Sequence, residues 1–91
     1  MKYYDKLKEF LDDEFSDYSY FKYEIDFDEE YAGHEYYTVN IKTTDDRKKT
    51  LSFKLNELNI LIDMGDDNWQ ETRNYGYKVK YFWMTLLSWE I

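Results

Sequence analysis

The chain has 91 residues, 43% hydrophobic and 22% aromatic, with a formal net charge of −8. That length builds one domain, residues 1–91, around one core, and the aromatic side chains bury enough area to exclude a disordered chain. No cysteine is present, so there is neither a disulfide framework nor a thiolate zinc site, which fits an intracellular protein.

The start, MKYYDKLKEF, lacks the apolar segment of a signal peptide, and no run approaches transmembrane length. The expectation is a soluble protein of the cytoplasm. Residue usage is skewed as well: Ala32 is the only alanine, Arg47 and Arg73 are the only arginines, and proline is absent. Such usage favours A/T-rich codons and points to a low-GC bacterium or its phage. Charge is regional. Residues 1–46 hold fourteen acids against five bases, a net of −9, and residues 47–91 hold six against seven, a net of +1. From Glu9 to Glu35 there are eleven carboxylates and one base, Lys22. A field of that sign repels nucleic acid and membrane surfaces and attracts basic proteins.

In chain order, Tyr4, Leu7, Leu11 and Phe15 recur at spacings of three and four, with Tyr3 and Phe10 beside them. This predicts an amphipathic helix over residues 3–15, with Asp5, Glu9, Asp12, Asp13 and Glu14 mainly outside. Acids late in a helix oppose its macrodipole, so they are not placed there for helix stability.

From Ser19 the period becomes two. Phe21, Tyr23, Ile25 and Phe27 fall on one face, and Lys22, Glu24, Asp26 and Asp28 on the other, the pattern of an antiparallel strand with one wet side. After a break at residues 29–33, Tyr37, Val39 and Ile41 alternate with Thr38, Asn40 and Lys42. A turn at residues 44–47 leads to Leu51, Phe53 and Leu55, alternating with Ser52 and Lys54. Three strands form a meander. Asn56 suits the cap of a short second helix, ELNILID, ending at Gly65, although a fourth strand fits there too. Residues 66–74 read as a loop carrying Trp69. In the tail, GYKVKYFWMTLLSWEI, both helix and strand periods fit, and aromatic and β-branched content favours the strand. The predicted fold class is α+β: an N-terminal helix packed on an antiparallel sheet of three to five strands, with a short second helix.

Enzyme constellations are nearly absent. His34, the only histidine, lies in a loop, AGHEYY, and reads as solvated and idle; no serine has a nucleophile-elbow context. Gly33, Gly65 and Gly76 are too dispersed to cradle a phosphate. Asp26, Asp28 and Glu30 imitate the first positions of a calcium loop, but its sixth and twelfth positions are Tyr31 and Tyr37. Paired carboxylates also serve glycoside hydrolysis, but a chain this small rarely forms the cleft. The expectation is no catalytic residue, no cofactor and no metal.

The acids themselves are the salient feature. Along one strand face side chains recur about every 6.8 Å, close to two phosphate steps of about 3.4 Å along one DNA strand. Glu24, Asp26 and Asp28, continued by Glu29, Glu30 and Glu35 and flanked by Asp12 and Asp13, lay negative charge at a scale a DNA-binding groove accepts. The plain alternative is a solvated face that discourages edge pairing. Eleven acids with one base repel one another, a cost that edge protection alone does not require. Tyrosine anchors interfaces at low entropic cost, and Tyr31 and Tyr36, beside Glu30 and Glu35, are the candidates for contact.

Small size, absence of cysteine, A/T-biased usage and an acidic, tyrosine-rich surface, chiefly DDEFSDYSYF and YEIDFDEEYAGHEYY, resemble the small phage counter-defence proteins. That class includes anti-CRISPR proteins and other DNA-mimic inhibitors. The resemblance implies a stoichiometric protein inhibitor that occupies the nucleic-acid site of a basic host defence enzyme, a nuclease or CRISPR effector, in the bacterial cytoplasm. It supplies no site residue. A second class, the immunity protein that neutralises a basic nuclease toxin, shares size, acidity and aromatic content. A third, a structural or regulatory adaptor, predicts no preference for basic partners.

Overall fold

A computed structural model describes residues 2–15, 21–44, 46 and 48–72. Among the described residues one helix, α1 (Tyr4–Phe15), precedes five strands: β1 (Phe21–Tyr31), β2 (His34–Thr43), β3 (Lys48–Leu55), β4 (Ile60–Asp63) and β5 (Trp69–Glu71). The strands form one antiparallel sheet in the order β1-β2-β3-β4-β5. The fold is α+β, as expected, and the five strands among the described residues fall within the expected three to five. The tail from residue 77, whose strand or helix state the sequence left open, lies outside the described residues.

α1 covers one face of the sheet. Its periodic residues Leu7 and Leu11 are fully buried and meet Tyr37, Val39 and Ile41 of β2, Leu51, Phe53 and Leu55 of β3, and Ile62 of β4 in one core. Phe10 packs edge-on against Phe53, and Tyr4 lies tilted beside Tyr37. The alternation of β2 and β3 dictates this arrangement, because every second residue must leave water when a helix lies on that side. The other face of the sheet, turned away from α1, is called the outer face below.

β1 and β2 join through Ala32 and Gly33, with φ of 53° and 81°. Two left-handed residues make the tight hairpin turn whose twist suits the flanking strands, and the glycine takes up that conformation without strain. β1 carries a bulge: Phe27 opposes Tyr37 and Glu29 opposes Tyr36, so Asp28 is an extra residue.

Two expectations fail between Asn56 and Glu71. The short second helix is absent; Ile60–Asp63 is β4, paired with β3 through Phe53 and Ile62. Asn56 does act as a cap, but of a turn: its Oδ1 accepts the amides of Leu58 and Asn59 at 2.9 and 2.8 Å. Local hydrogen bonding of this kind serves a hairpin as well as a helix start, and ILID is apolar enough to join the β3 edge. Nor is residue 69 in a loop. Trp69–Glu71 is β5, reached by a turn in which Gly65, Asp66 and Asp67 all have positive φ. The Asp63 side chain supports that turn by accepting the Gly65 amide at 2.8 Å.

Candidate functional site

Among the described strands β1 lies at an edge of the sheet, and its polar residues before Glu30 fall on the outer face. Glu24 stands opposite Asn40, Asp26 opposite Thr38, and Glu29 opposite Tyr36. These three acids therefore each face a neutral partner across the strand. Asp28 accepts the Thr38 hydroxyl at 2.7 Å, and Asp26 lies 3.4 Å from the Asn40 amide nitrogen. Asn40 is itself oriented by the Thr50 hydroxyl, 2.9 Å from its Oδ1. These contacts fix the carboxylates without neutralising them.

The bulge adds to the row. In regular pairing Asp28 and Glu29 would point to opposite faces; the extra residue lets Asp28 reach Thr38 while Glu29 takes the outer position beside Tyr36. Glu24, Asp26, Asp28 and Glu29 are all exposed, and among the described residues none of them has an ion pair.

The same bulge sends Glu30 to the opposite parity, where it faces Glu35. Glu30 is exposed, whereas Glu35 has only 2% of its surface in water. Its carboxylate accepts the Lys2 amide on Oε2 and the Tyr3 amide on Oε1, each at 2.7 Å, and the Tyr37 hydroxyl on Oε1 at 2.6 Å. The expectation that Glu35 belongs to the partner-binding surface is thus corrected: it ties the N-terminal end of α1 to β2. Burial alone would raise its pKa, but the Tyr37 hydroxyl and the two amides outweigh that and hold it down at about 2.

Asp12 departs from expectation too. It accepts the Tyr23 hydroxyl and pairs with Lys8 at 3.0 Å, which lowers its pKa, while burial and the same contact push Tyr23 up to about 12. Tyr23 belongs to the α1 side of the sheet, so Asp12 and the neighbouring Asp13 sit on the helix layer, across the sheet from the acid row. The predicted acid surface is therefore split in two.

Tyr31, 68% exposed, closes the β1 end of the hairpin opposite His34. Tyr36 is half-buried and meets Trp69 edge-on at 5.9 Å, and the Lys54 ammonium lies 4.8 Å from the Trp69 ring centroid. This aromatic and cationic patch lies beside the acid row on the outer face. A loop reading of Trp69 hides it, because only strand pairing brings Trp69 across β4 and β3 to Tyr36.

His34 begins β2 and is half-buried, which corrects the reading of a solvated loop residue. The Asn56 amide donates to its Nε2 at 3.2 Å, so the proton resides on Nδ1, 3.3 Å from the Ala32 carbonyl. Both ring nitrogens are engaged in hairpin structure. Among the described residues no group of three or more histidine and carboxylate side chains is placed to hold a metal, and no helix is long and apolar enough to cross a membrane. No family model matches the chain, and no curated protein or solved structure matches it either.

Proposed function

We propose that the protein is a non-catalytic, phage-encoded inhibitor of the anti-CRISPR or DNA-mimic kind, acting in the bacterial cytoplasm on a basic nucleic-acid-binding defence enzyme. The observation that carries this reading is the row Glu24, Asp26, Asp28 and Glu29: four exposed acids on β1, three of them opposite a neutral residue and Asp28, the bulged one, accepting the Thr38 hydroxyl. Two of these carboxylates are held by cross-strand hydrogen-bond donors, so the charge is presented in a fixed geometry. A positioned row loses little side-chain freedom when it meets a basic groove, and uncompensated charge accelerates the encounter.

The acid row also implies how such an inhibitor would be displaced: the row and nucleic acid compete for the same basic groove of the target. The test is stoichiometric competition. A basic nuclease or effector captured from a phage-susceptible bacterium should lose DNA binding as the protein is added in equimolar amount, and excess duplex DNA should reverse the capture. Capture that duplex DNA does not reverse argues against occupation of the nucleic-acid site. A captured partner that is a secreted nuclease toxin would place the same surface in an immunity protein.

A further inference from the structure

Lys22, the single base in the acidic stretch, does not stand opposite an acid. Strand register places it directly across from Lys42, and Lys42 directly across from Lys48, all three exposed on the outer face of β1, β2 and β3. Like charges at directly opposed positions destabilise a sheet. Lys42 reaches Asp46 at 3.3 Å, while among the described residues Lys22 and Lys48 have no ion pair. The next cross-strand row is Glu24, Asn40 and Thr50, and the two rows line a shallow cleft of about 590 Å³.

We infer that this lysine row is a binding site for a compact polyanion, a chain of two or three phosphoryl groups laid across the strands. Two strand spacings of about 4.8 Å put the outer two lysine backbones about 10 Å apart, and their flexible stems converge on anything bridging them. The Asn40 amide, which turns one N–H toward Asp26, has its second N–H as a neutral donor beside the charges. Three opposed lysines match two or three phosphoryl groups, and Glu24, one row away at about 6.8 Å and followed by Asp26, repels a longer polyanion that turns along β1. The short lysine row and the acids beside it favour oligophosphate over nucleic acid. It is independent of the inhibitor reading, which rests on other residues.

The test follows backbone amide shifts at low ionic strength during titration with tripolyphosphate, inorganic phosphate, ATP and a ten-nucleotide single strand. Shifts should centre on residues 22, 40, 42, 48 and 50, with tripolyphosphate binding more tightly than phosphate and the oligonucleotide most weakly. ATP matching tripolyphosphate would assign recognition to the phosphate chain, and ATP binding tighter would add the nucleoside as part of the ligand. Lys22→Gln and Lys48→Gln should each weaken tripolyphosphate about fivefold, the effect of one unit charge at roughly 4 Å in water. Lys2→Gln, an exposed lysine near α1, should change binding less than twofold, and the row variants should melt no lower than the parent because repulsion is relieved. Absence of shifts at these residues at millimolar tripolyphosphate would overturn the proposal. So would equal weakening by Lys2→Gln, or an oligonucleotide that binds best.

Discussion

The Tyr37 hydroxyl donates to the Glu35 carboxylate at 2.6 Å, two residues away on the same face of β2. Because that carboxylate also receives the Lys2 and Tyr3 amides, a strand residue serves the N-terminal end of a helix more than thirty positions earlier in the chain. The orphan amides at a helix start need such an acceptor, and negative charge there suits the macrodipole. Glu35→Gln keeps one acceptor oxygen for three donors and removes the charge. It should cost about 2–3 kcal/mol in denaturant unfolding, with Tyr37→Phe costing roughly 1–2 kcal/mol. The double variant should cost less than the sum, because the two changes share one hydrogen bond.

Acid stability should depend on the same carboxylate. Its folded pKa of about 2 lies below the usual 4.5, so its contribution is complete above pH 4.5 and is lost as pH falls toward 2. The parent should therefore lose stability across that window, by roughly 3 kcal/mol from this group. Glu35→Gln, less stable at neutral pH, should show a flatter dependence between pH 4.5 and 2. Equal slopes for the two proteins would mean that other carboxylates cause the acid loss.

His34 and Asn56 give a prediction of a different kind. Asn56 uses its oxygen on the Leu58 and Asn59 amides and its nitrogen on His34, so Asn56→Ala leaves several groups unpaired. It should destabilise by about 1–2 kcal/mol, and His34→Ala by roughly 1 kcal/mol or less. Inhibition of the target should stay within a few fold in both, measured on protein confirmed folded by circular dichroism. A folded His34→Ala variant that loses inhibition outright would assign the histidine a chemical role.

The elements that sequence pattern reveals are those whose period is long and whose buried face is pure: α1 through Leu7 and Leu11, β2 through Tyr37, Val39 and Ile41, β3 through Leu51, Phe53 and Leu55. β4 and β5 are only four and three residues long, too short for alternation to separate them from a helical turn or a loop. Within the candidate site, Glu24, Asp26 and Asp28 were legible because parity alone sets their face. Glu29 and Glu30 were not sorted, since one inserted residue at Asp28 reverses the parity beyond it. Glu35 held a further signal in principle: counted back from Tyr37, Val39 and Ile41, it sits on the apolar face. The lysine row needed pairing register, which depends on turn lengths that sequence composition does not fix.

That bulge makes its own prediction. Deleting Asp28 should restore regular β1–β2 pairing, with the Thr38 hydroxyl losing its partner and Glu29 keeping its place opposite Tyr36. The outer row then holds three acids, and the domain remains folded because no core residue changes side. Association with the target should slow by several fold at low salt, since steering scales with the charge presented. A variant that unfolds instead would show that the extra residue is needed to match strand twist.

The decisive prediction concerns Glu24, Asp26 and Asp28 together. Reversing all three to lysine should abolish inhibition while the sheet stays folded, because these side chains lie on the outer face and the core stands on the other. The folding cost is limited to the Asp26 and Asp28 contacts with Asn40 and Thr38, about 1 kcal/mol each. Reversing Asp12 and Asp13 should matter less, since both sit on the helix layer and Asp12 already pairs with Lys8. Binding of the parent should also slow steeply as salt rises, because charges are screened within about 8 Å at physiological ionic strength. The opposite pattern has a definite meaning. If the triple reversal inhibits fully, while alanine at Tyr31, Tyr36 or Trp69 removes inhibition with little salt dependence, the acids are edge protection and the Tyr36–Trp69 patch is the working surface.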